Sequence, residues 1–148
     1  MAMDSQTEQR LKTLLQTQKL AALATQEQDA PYLSLMAYTA TDDLKHLVIA
    51  TKRGTRKYHN MIKNPVVALL IDNRSHGKED FQNALAVSGI GTVREIEDQE
   101  KAAWRSLFLN RHPALHDFVH SPECALLRVD LKRWVVVSRF DEVEEIVW

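Results

Sequence analysis

The sequence predicts a mainly β fold with added helices, arranged as an antiparallel barrel of six or seven strands. Three observations lead there. Short apolar runs, alternating or continuous, recur along the chain between clusters of turn residues. Helix-like spacing is confined to the N-terminus, one crossover-sized stretch in the middle and an insertion before the final strands. Strands do not alternate regularly with long helices, as a doubly wound parallel sheet requires; this leaves a barrel or an α+β sheet and favours the barrel.

Residues 4–18, DSQTEQRLKTLLQTQ, place Leu11, Leu14 and Leu15 at helical spacing, with Asp4 or Ser5 available to cap the first turn. KLAALATQ, the turn EQDAP and YLSLMAYTA read as an antiparallel strand pair in which Leu33, Leu35 and Ala37 alternate with Tyr32, Ser34, Met36 and Tyr38. After the turn TDDLK, HLVIAT supplies a third strand. TKRGTRKYHNMIKNP combines a turn at Gly54 with helical spacing of Tyr58, Met61 and Ile62, and Pro65 ends that helix. VVALLID is apolar throughout and predicts a central strand buried on both sides, while NRSHGKEDFQN is the longest polar loop. In ALAVSGIGTVREI, Gly89 and Gly91 mark a bend, a bulge or the close approach of another group. Asp98 is a candidate N-cap for a helix carrying Ala102, Leu107 and Phe108 and ending before Pro113, and the shorter helical piece ALHDFVHSP follows. CALLRVDLKRWVVVSRF alternates Leu127, Val129 and Leu131 with charged residues before the apolar WVVV. DEVEE reads as an acidic surface edge, and the terminal IVW as either an anchor on a partner subunit or a frayed end.

One domain over residues 1–148 is expected, and surface scaling gives such a monomer roughly 7,700 Å² of exposed surface. Nineteen Lys and Arg against twenty Asp and Glu leave a net charge of -1, so no global field would hold nucleic acid or an anionic membrane. Any anion site must be local. Cys124 has no partner for an internal disulfide, and neither a secretory leader nor a membrane-length apolar run is visible, which predicts a cytoplasmic setting. Neither GxGxxG nor GxxxxGK[ST] occurs, which excludes those two glycine-based phosphate cradles.

The most informative cluster is Lys52, Arg53, Arg56 and Lys57 around Gly54 and Thr55, at the junction of a strand and a helix. Helix N-terminal amides, an Arg fork and the Thr55 hydroxyl suit a dianionic phosphate, although the same residues would also make a solvated cationic turn. VIATKRGTRKYHNMIKNPVVALLID, with the preceding PYLSLMAYTATDDLKH, resembles the flavin-binding segment of the pyridoxamine 5'-phosphate oxidase-like superfamily, whose fold is the FMN-binding split β-barrel. The likeness runs from about Leu20 to Arg139 through the succession strand, T-x-x-x-[ST]-R-K, helix, N-P, apolar strand. The order of elements is similar to the smaller haem-utilisation and general-stress branches.

The resemblance implies an FMN-binding flavoprotein: an oxidoreductase acting on a small substrate, with two flavins at the interface of a two-fold homodimer. It leaves two alternatives, a flavin- or haem-binding carrier or sensor without turnover and a structural homodimer without cofactor. Deazaflavin or haem could take the place of FMN. By resemblance, Thr51, Thr55, Arg56 and Lys57, with Ala50 beside them, fall where the phosphate and ribityl chain are held, and Leu35, Met36, Ala37 and Tyr38 where the isoalloxazine is lined. Asn73 and Arg74 would reach a flavin edge or phosphate, or are ordinary loop polarity. Trp134 and Arg139 fall near the ring, with core or interface packing the other reading of Trp134.

Departures from the oxidase itself are equally informative. By resemblance, that enzyme handles its phosphorylated substrate with a C-terminal arginine and histidine pair, whereas this chain ends SRFDEVEEIVW with no His after His120. No catalytic acid or base stands out. His46 reads as facing solvent and His59 as exposed on a helix; Pro113 interrupts His112, His116 and His120, favouring polar surface over a metal or haem patch. Cys124 reads as a buried inert thiol, and Asp72 and Asp80 as solvated loop carboxylates.

Overall fold

A computed structural model describes residues 3–148. Helix α1 (Ser5–Thr17) starts where the Asp4 carboxylate accepts from the Thr7 amide at 2.7 Å, and it buries Leu11, Leu14 and Leu15. The remaining elements are β1 (Leu20–Glu27), β2 (Ala30–Ala40), β3 (His46–Lys52), α2 (Arg56–Lys63), β4 (Val66–Asp72), α3 (Asp80–Asn83), β5 (Leu85–Glu95), α4 (Asp98–Arg111), α5 (His116–His120), β6 (Cys124–Ser138) and β7 (Glu142–Val147), with a 3-10 turn at Pro113–Leu115 between α4 and α5. Every strand pair is antiparallel, in the order β3-β2-β1-β4-β5-β6-β7. Strand β3 also pairs with β6, so β1 to β6 close into the predicted barrel and β7 extends from it.

The length of β6 makes closure possible. Its first half, Cys124 to Asp130, pairs with β3; its second half, Arg133 to Ser138, pairs with β7; the stretch from Leu127 to Ser138 pairs with β5. The register shifts between Ile90, opposite Arg133, and Gly91, opposite Leu131, so Lys132 of β6 is the extra residue of a bulge. A Cβ at Gly91 would sit 2.2 Å from the Asp130 carbonyl oxygen, so this glycine is a close approach, and the bulge itself lies across from it in β6.

Alternate residues of the strands fill the barrel, including Leu23, Tyr38, Ile49, Leu69, Val87, Val129 and Trp134, all essentially inaccessible, and α1 closes one end. A second apolar cluster lies outside, where α4 and α5 cover Val48 and Leu126 with Ile96, Phe108 and Val119.

Several sequence expectations change here. Strand β4 is buried on one side only: Val67, Leu69 and Ile71 face inward, while Val66 and Leu70 are 51% and 40% exposed because, among the described residues, no helix covers that stretch of the outer wall. Leu33 and Leu35 share the uncovered face at 70% and 68% exposure, and Met36 and Tyr38 point inward. Asp98 begins α4 rather than capping it; Glu97 holds the cap position without a side-chain bond. The polar loop contains the single turn α3. The acidic tail is the surface edge expected, and it is ordered as the edge strand β7 paired along β6. His46 does not simply face solvent, because the β3–β6 register sets it opposite Asp130, whose carboxylate its Nδ1 meets at 2.9 Å. Among the described residues no helix is long and apolar enough to cross a membrane.

Candidate functional site

The chain leaves β3 at Lys52, turns through Arg53 and Gly54 and enters α2 after Thr55. Thr55 caps the helix, its Oγ1 accepting from the Tyr58 amide at 3.3 Å. That hydroxyl donates to the Lys52 carbonyl at 2.8 Å, and the Thr51 hydroxyl lies 3.0 Å from it. With its one proton given to Lys52, Thr55 must accept from Thr51. The amides of Arg56 and Lys57, in the first turn of α2, have no acceptor within the helix. They are free backbone donors at this corner, a geometry that suits an anion. Asn60, buried in the next turn, donates from Nδ2 to Thr25 Oγ1 at 3.1 Å and seats α2 on β1.

The four cations of the turn have different fates. Arg53 reaches away to Glu95 at 2.8 Å, and Arg56 lies against Glu27 at 3.7 Å and over the Tyr32 ring. Lys52 and Lys57 line a cleft of about 450 Å³, without a salt-bridge partner among the described residues. Leu20, Leu35, Met36, Ala37, Ala50, Thr51 and Thr55 form further lining, and Phe108, Leu115 and Phe118 come in from α4, the 3-10 turn and α5. One end of the cleft is cationic and hydroxylic, and its walls are apolar. Its volume falls in the range of about 300 to 1,000 Å³ usual for small-molecule sites.

Of the residues singled out from the sequence, Leu35, Met36, Ala37, Ala50, Thr51, Thr55 and Lys57 thus meet at one place. The Arg56 side chain belongs to a separate hollow with Gln26, Glu27, His59 and Lys63. Tyr38 lies inside the barrel, its hydroxyl bonded to the Leu15 and Gln18 carbonyls at 2.9 and 2.8 Å, and burial pushes its pKa up to about 12 against the opposing pull of Arg111. Asn73 accepts from the Leu85 amide at 2.7 Å, and Arg74 pairs with Asp72 at 2.6 Å. Trp134 is enclosed in the core, donating to the Leu44 carbonyl, and Arg139 sits in the exposed β6–β7 turn with φ 48°. None of Tyr38, Asn73, Trp134 and Arg139 lines the cleft.

Sequence reasoning missed Phe108, Leu115 and Phe118 as lining residues; their apolar spacing through the helical insertion was the available signal. It also missed Glu95, which accepts from both Arg53 Nη2 at 2.8 Å and Tyr58 Oη at 2.7 Å. Burial works to raise that carboxyl's pKa, but the Arg53 and Tyr58 bonds prevail and hold it below its ordinary value. Cys124, opposite Lys52 in the β3–β6 ladder, is buried, and burial pushes its thiol pKa up, which keeps it protonated. His112 is buried beneath Phe108 with its Nε2 on the Tyr38 carbonyl at 2.6 Å, and burial lowers its pKa. His116 and His120 stack at 4.2 Å on the surface. Among the described residues no group of three or more His, Cys, Asp or Glu could hold a metal ion.

Residues 7–145 match the family model described as pyridoxamine 5'-phosphate oxidase. The fold is shared with a heme binding protein from Mycobacterium smegmatis at 16% identity and TM-score 0.85, over 99% of this chain and 60% of that one. It is shared with General Stress Protein 26 from Bacillus anthracis str. Sterne at 19% identity and TM-score 0.73, over 96% and 98% of the two chains. A FAD-binding protein from Mesorhizobium loti aligns at 17% identity and TM-score 0.71, over 90% and 94%. At such identities the likeness is one of fold. This chain therefore spans 60% of the length of the mycobacterial protein. No curated protein matches it by sequence.

Proposed function

The chain belongs to the pyridoxamine 5'-phosphate oxidase family, and from that premise we propose that it binds FMN in the cleft between β2, β3 and α2 and acts as an oxidoreductase on a small substrate. The observation that carries this reading is the convergence of Leu35, Ala37, Ala50, Thr51, Thr55 and Lys57 on one cleft with a cationic end and apolar walls. That donor set fits a flavin mononucleotide. Lys52, Lys57 and the first amides of α2 would hold the phosphate, while Leu35, Ala37, Ala50 and Phe108 would flank the ring and Leu115 and Phe118 keep water from it. FMN, once bound, supplies the electron or hydride transfer, and the protein supplies position and electrostatics. Deazaflavin would use the same anion donors. Haem fits less well, because the lining offers no His, Cys or Tyr as axial ligand and its Met36 is buried toward the core.

The site is half of an interface in this reading. Ala22 pairs with Leu35 on one side and Leu70 on the other, and Ala24 pairs with Leu33 and Ala68, giving two apolar rows across the uncovered outer wall. The folded chain exposes 8691 Å², more than the roughly 7,700 Å² expected of a compact monomer of its mass. Contiguous apolar surface of this kind marks a contact. A two-fold homodimer would cover it, and because Leu35 belongs to both wall and cleft, the partner would stand beside each flavin.

A carrier or sensor without turnover is the second reading. It is favoured by the lining itself, which contains no His, Cys, Asp or Glu to move a proton for a substrate. Titration of the purified protein with FMN, riboflavin and haemin tests the binding reading: FMN should bind at least about tenfold more tightly than riboflavin. Equal affinities would remove the phosphate site. Oxidation of a reduced nicotinamide by the loaded protein separates catalyst from carrier.

A further inference from the structure

Glu95, at the end of β5, does not touch the cleft, yet it holds both sides of the corner that forms the cleft's cationic end. Its Oε2 accepts from Arg53 Nη2, in the turn, and its Oε1 from Tyr58 Oη, in the first turn of α2. The Arg53 guanidinium also donates through Nη1 to the Pro122 carbonyl at 3.0 Å, and the Arg53 amide donates to the Glu123 carbonyl at 2.9 Å. Strand β6 sets the span for these bonds, since it pairs Ala125 with Thr51 and Leu127 with Glu95. Three separate elements thereby fix one turn.

We propose that Glu95 is a positioning residue for phosphate recognition: its carboxylate clips the Thr51–Thr55 turn to α2, and so fixes Lys52, Lys57 and the free amides of α2 relative to one another. The inference rests on the FMN reading above. It explains why the most central cation of the turn, Arg53, is directed away from the cleft while its two lysine neighbours line it. Without the clip, the turn and helix would move independently and the donors would no longer converge. A merely structural ion pair would behave differently, because a pair exposed at 37% and 30% contributes little to stability on its own.

The test compares FMN with riboflavin, which lacks the phosphate, in the wild type, Glu95→Gln and Tyr58→Phe. In Glu95→Gln the preference for FMN over riboflavin should fall about tenfold, in line with the loss of a supporting partner behind a binding group. Riboflavin affinity should hold, and the thermal midpoint should move by no more than about 3 °C. Tyr58→Phe removes one of the two bonds without leaving a charge unpaired. It should show a smaller fall in the same direction, and it carries the test if Glu95→Gln does not fold. An unchanged preference in the folded variants, or equal loss for both ligands, overturns the inference. A wild type that takes FMN no better than riboflavin overturns the phosphate reading itself, and that result stands apart because it needs no substitution.

Discussion

The indole Nε1 of Trp134 donates to the Leu44 carbonyl at 2.8 Å, tying the middle of β6 to the β2–β3 turn at a residue with φ 66°. Both residues are buried. Trp134→Phe would leave that carbonyl without its donor and is expected to destabilise the fold by about 1 to 3 kcal/mol. Urea unfolding should show a lower midpoint with an unchanged slope. FMN affinity should be unaltered, since the ring is enclosed in the barrel away from the cleft.

Two glycines should respond oppositely to alanine. At Gly91 the new Cβ would meet the Asp130 backbone, which cannot swing aside as a side chain would, and the expected cost is about 3 kcal/mol or more. Gly54 has nothing within 4 Å of such a Cβ and no positive φ. Gly54→Ala is therefore expected to stabilise by about 0.5 kcal/mol through the unfolded chain, as measured by paired denaturant titrations.

Adjacent cations of α2 should differ in flavin binding. Lys57→Ala should weaken FMN about tenfold, by loss of an unpaired charge at the cleft. Arg56→Ala should change affinity little, since that side chain is 63% exposed and engaged with Glu27 and Tyr32 elsewhere. Fluorescence titration of the two single variants decides between them. Equal loss would mean that the Arg56 side chain reorients onto the ligand.

Stability should fall toward acid in stages. His112 has a folded pKa below its ordinary 6.5, so its contribution is complete above pH 6.5 and is lost as pH falls through the depressed value. Asp130 and Glu95 have folded pKa values below 3.8 and 4.5; burial opposes the shift at each, and Arg128 with His46 and Arg53 with Tyr58 outweigh it. Their contributions are present above those ordinary values and vanish as pH drops through the lower folded ones. Tyr38, raised from 10.0 to about 12, acts at the other extreme: its contribution is complete below pH 10 and disappears as pH rises through 12. Chemical unfolding of His112→Asn from pH 7 to pH 5 should lack the first stage.

Self-association should depend on the uncovered wall. Leu33→Glu places a charge on its most exposed apolar row without altering the cleft lining. Light scattering at micromolar protein is expected to find a dimer for the wild type and a monomer for the variant. A wild-type monomer would remove the proposed interface.

Much of the fold was legible because its signals are local. Asp4 as a cap, Pro65 as a stop and Gly91 as a close approach follow from backbone chemistry at single positions, and each is found. The parity of the apolar strands was less legible. In β4, Val66 and Leu70 are as apolar as Val67 and Leu69, so composition cannot tell a strand buried twice from one with an apolar outer wall. Side-chain direction in the basic turn was also hidden. Arg53 and Arg56 look equivalent to Lys57 along the chain, and only the carboxylates brought up by β1 and β5 draw them elsewhere.

Closure of the barrel pairs His46 with Asp130 and Lys52 with Cys124, residues far apart along the chain. Such contacts come late, because the loop they close is long and gains nothing until both strands are in place. The wall that carries Ala50 and Thr51 is therefore an open edge during synthesis, until β6 has emerged to pair with it. If the cleft takes FMN as proposed, capture would then be a terminal event in maturation, and a nascent chain that stalls before β6 would present an unpaired strand instead of a finished cleft wall.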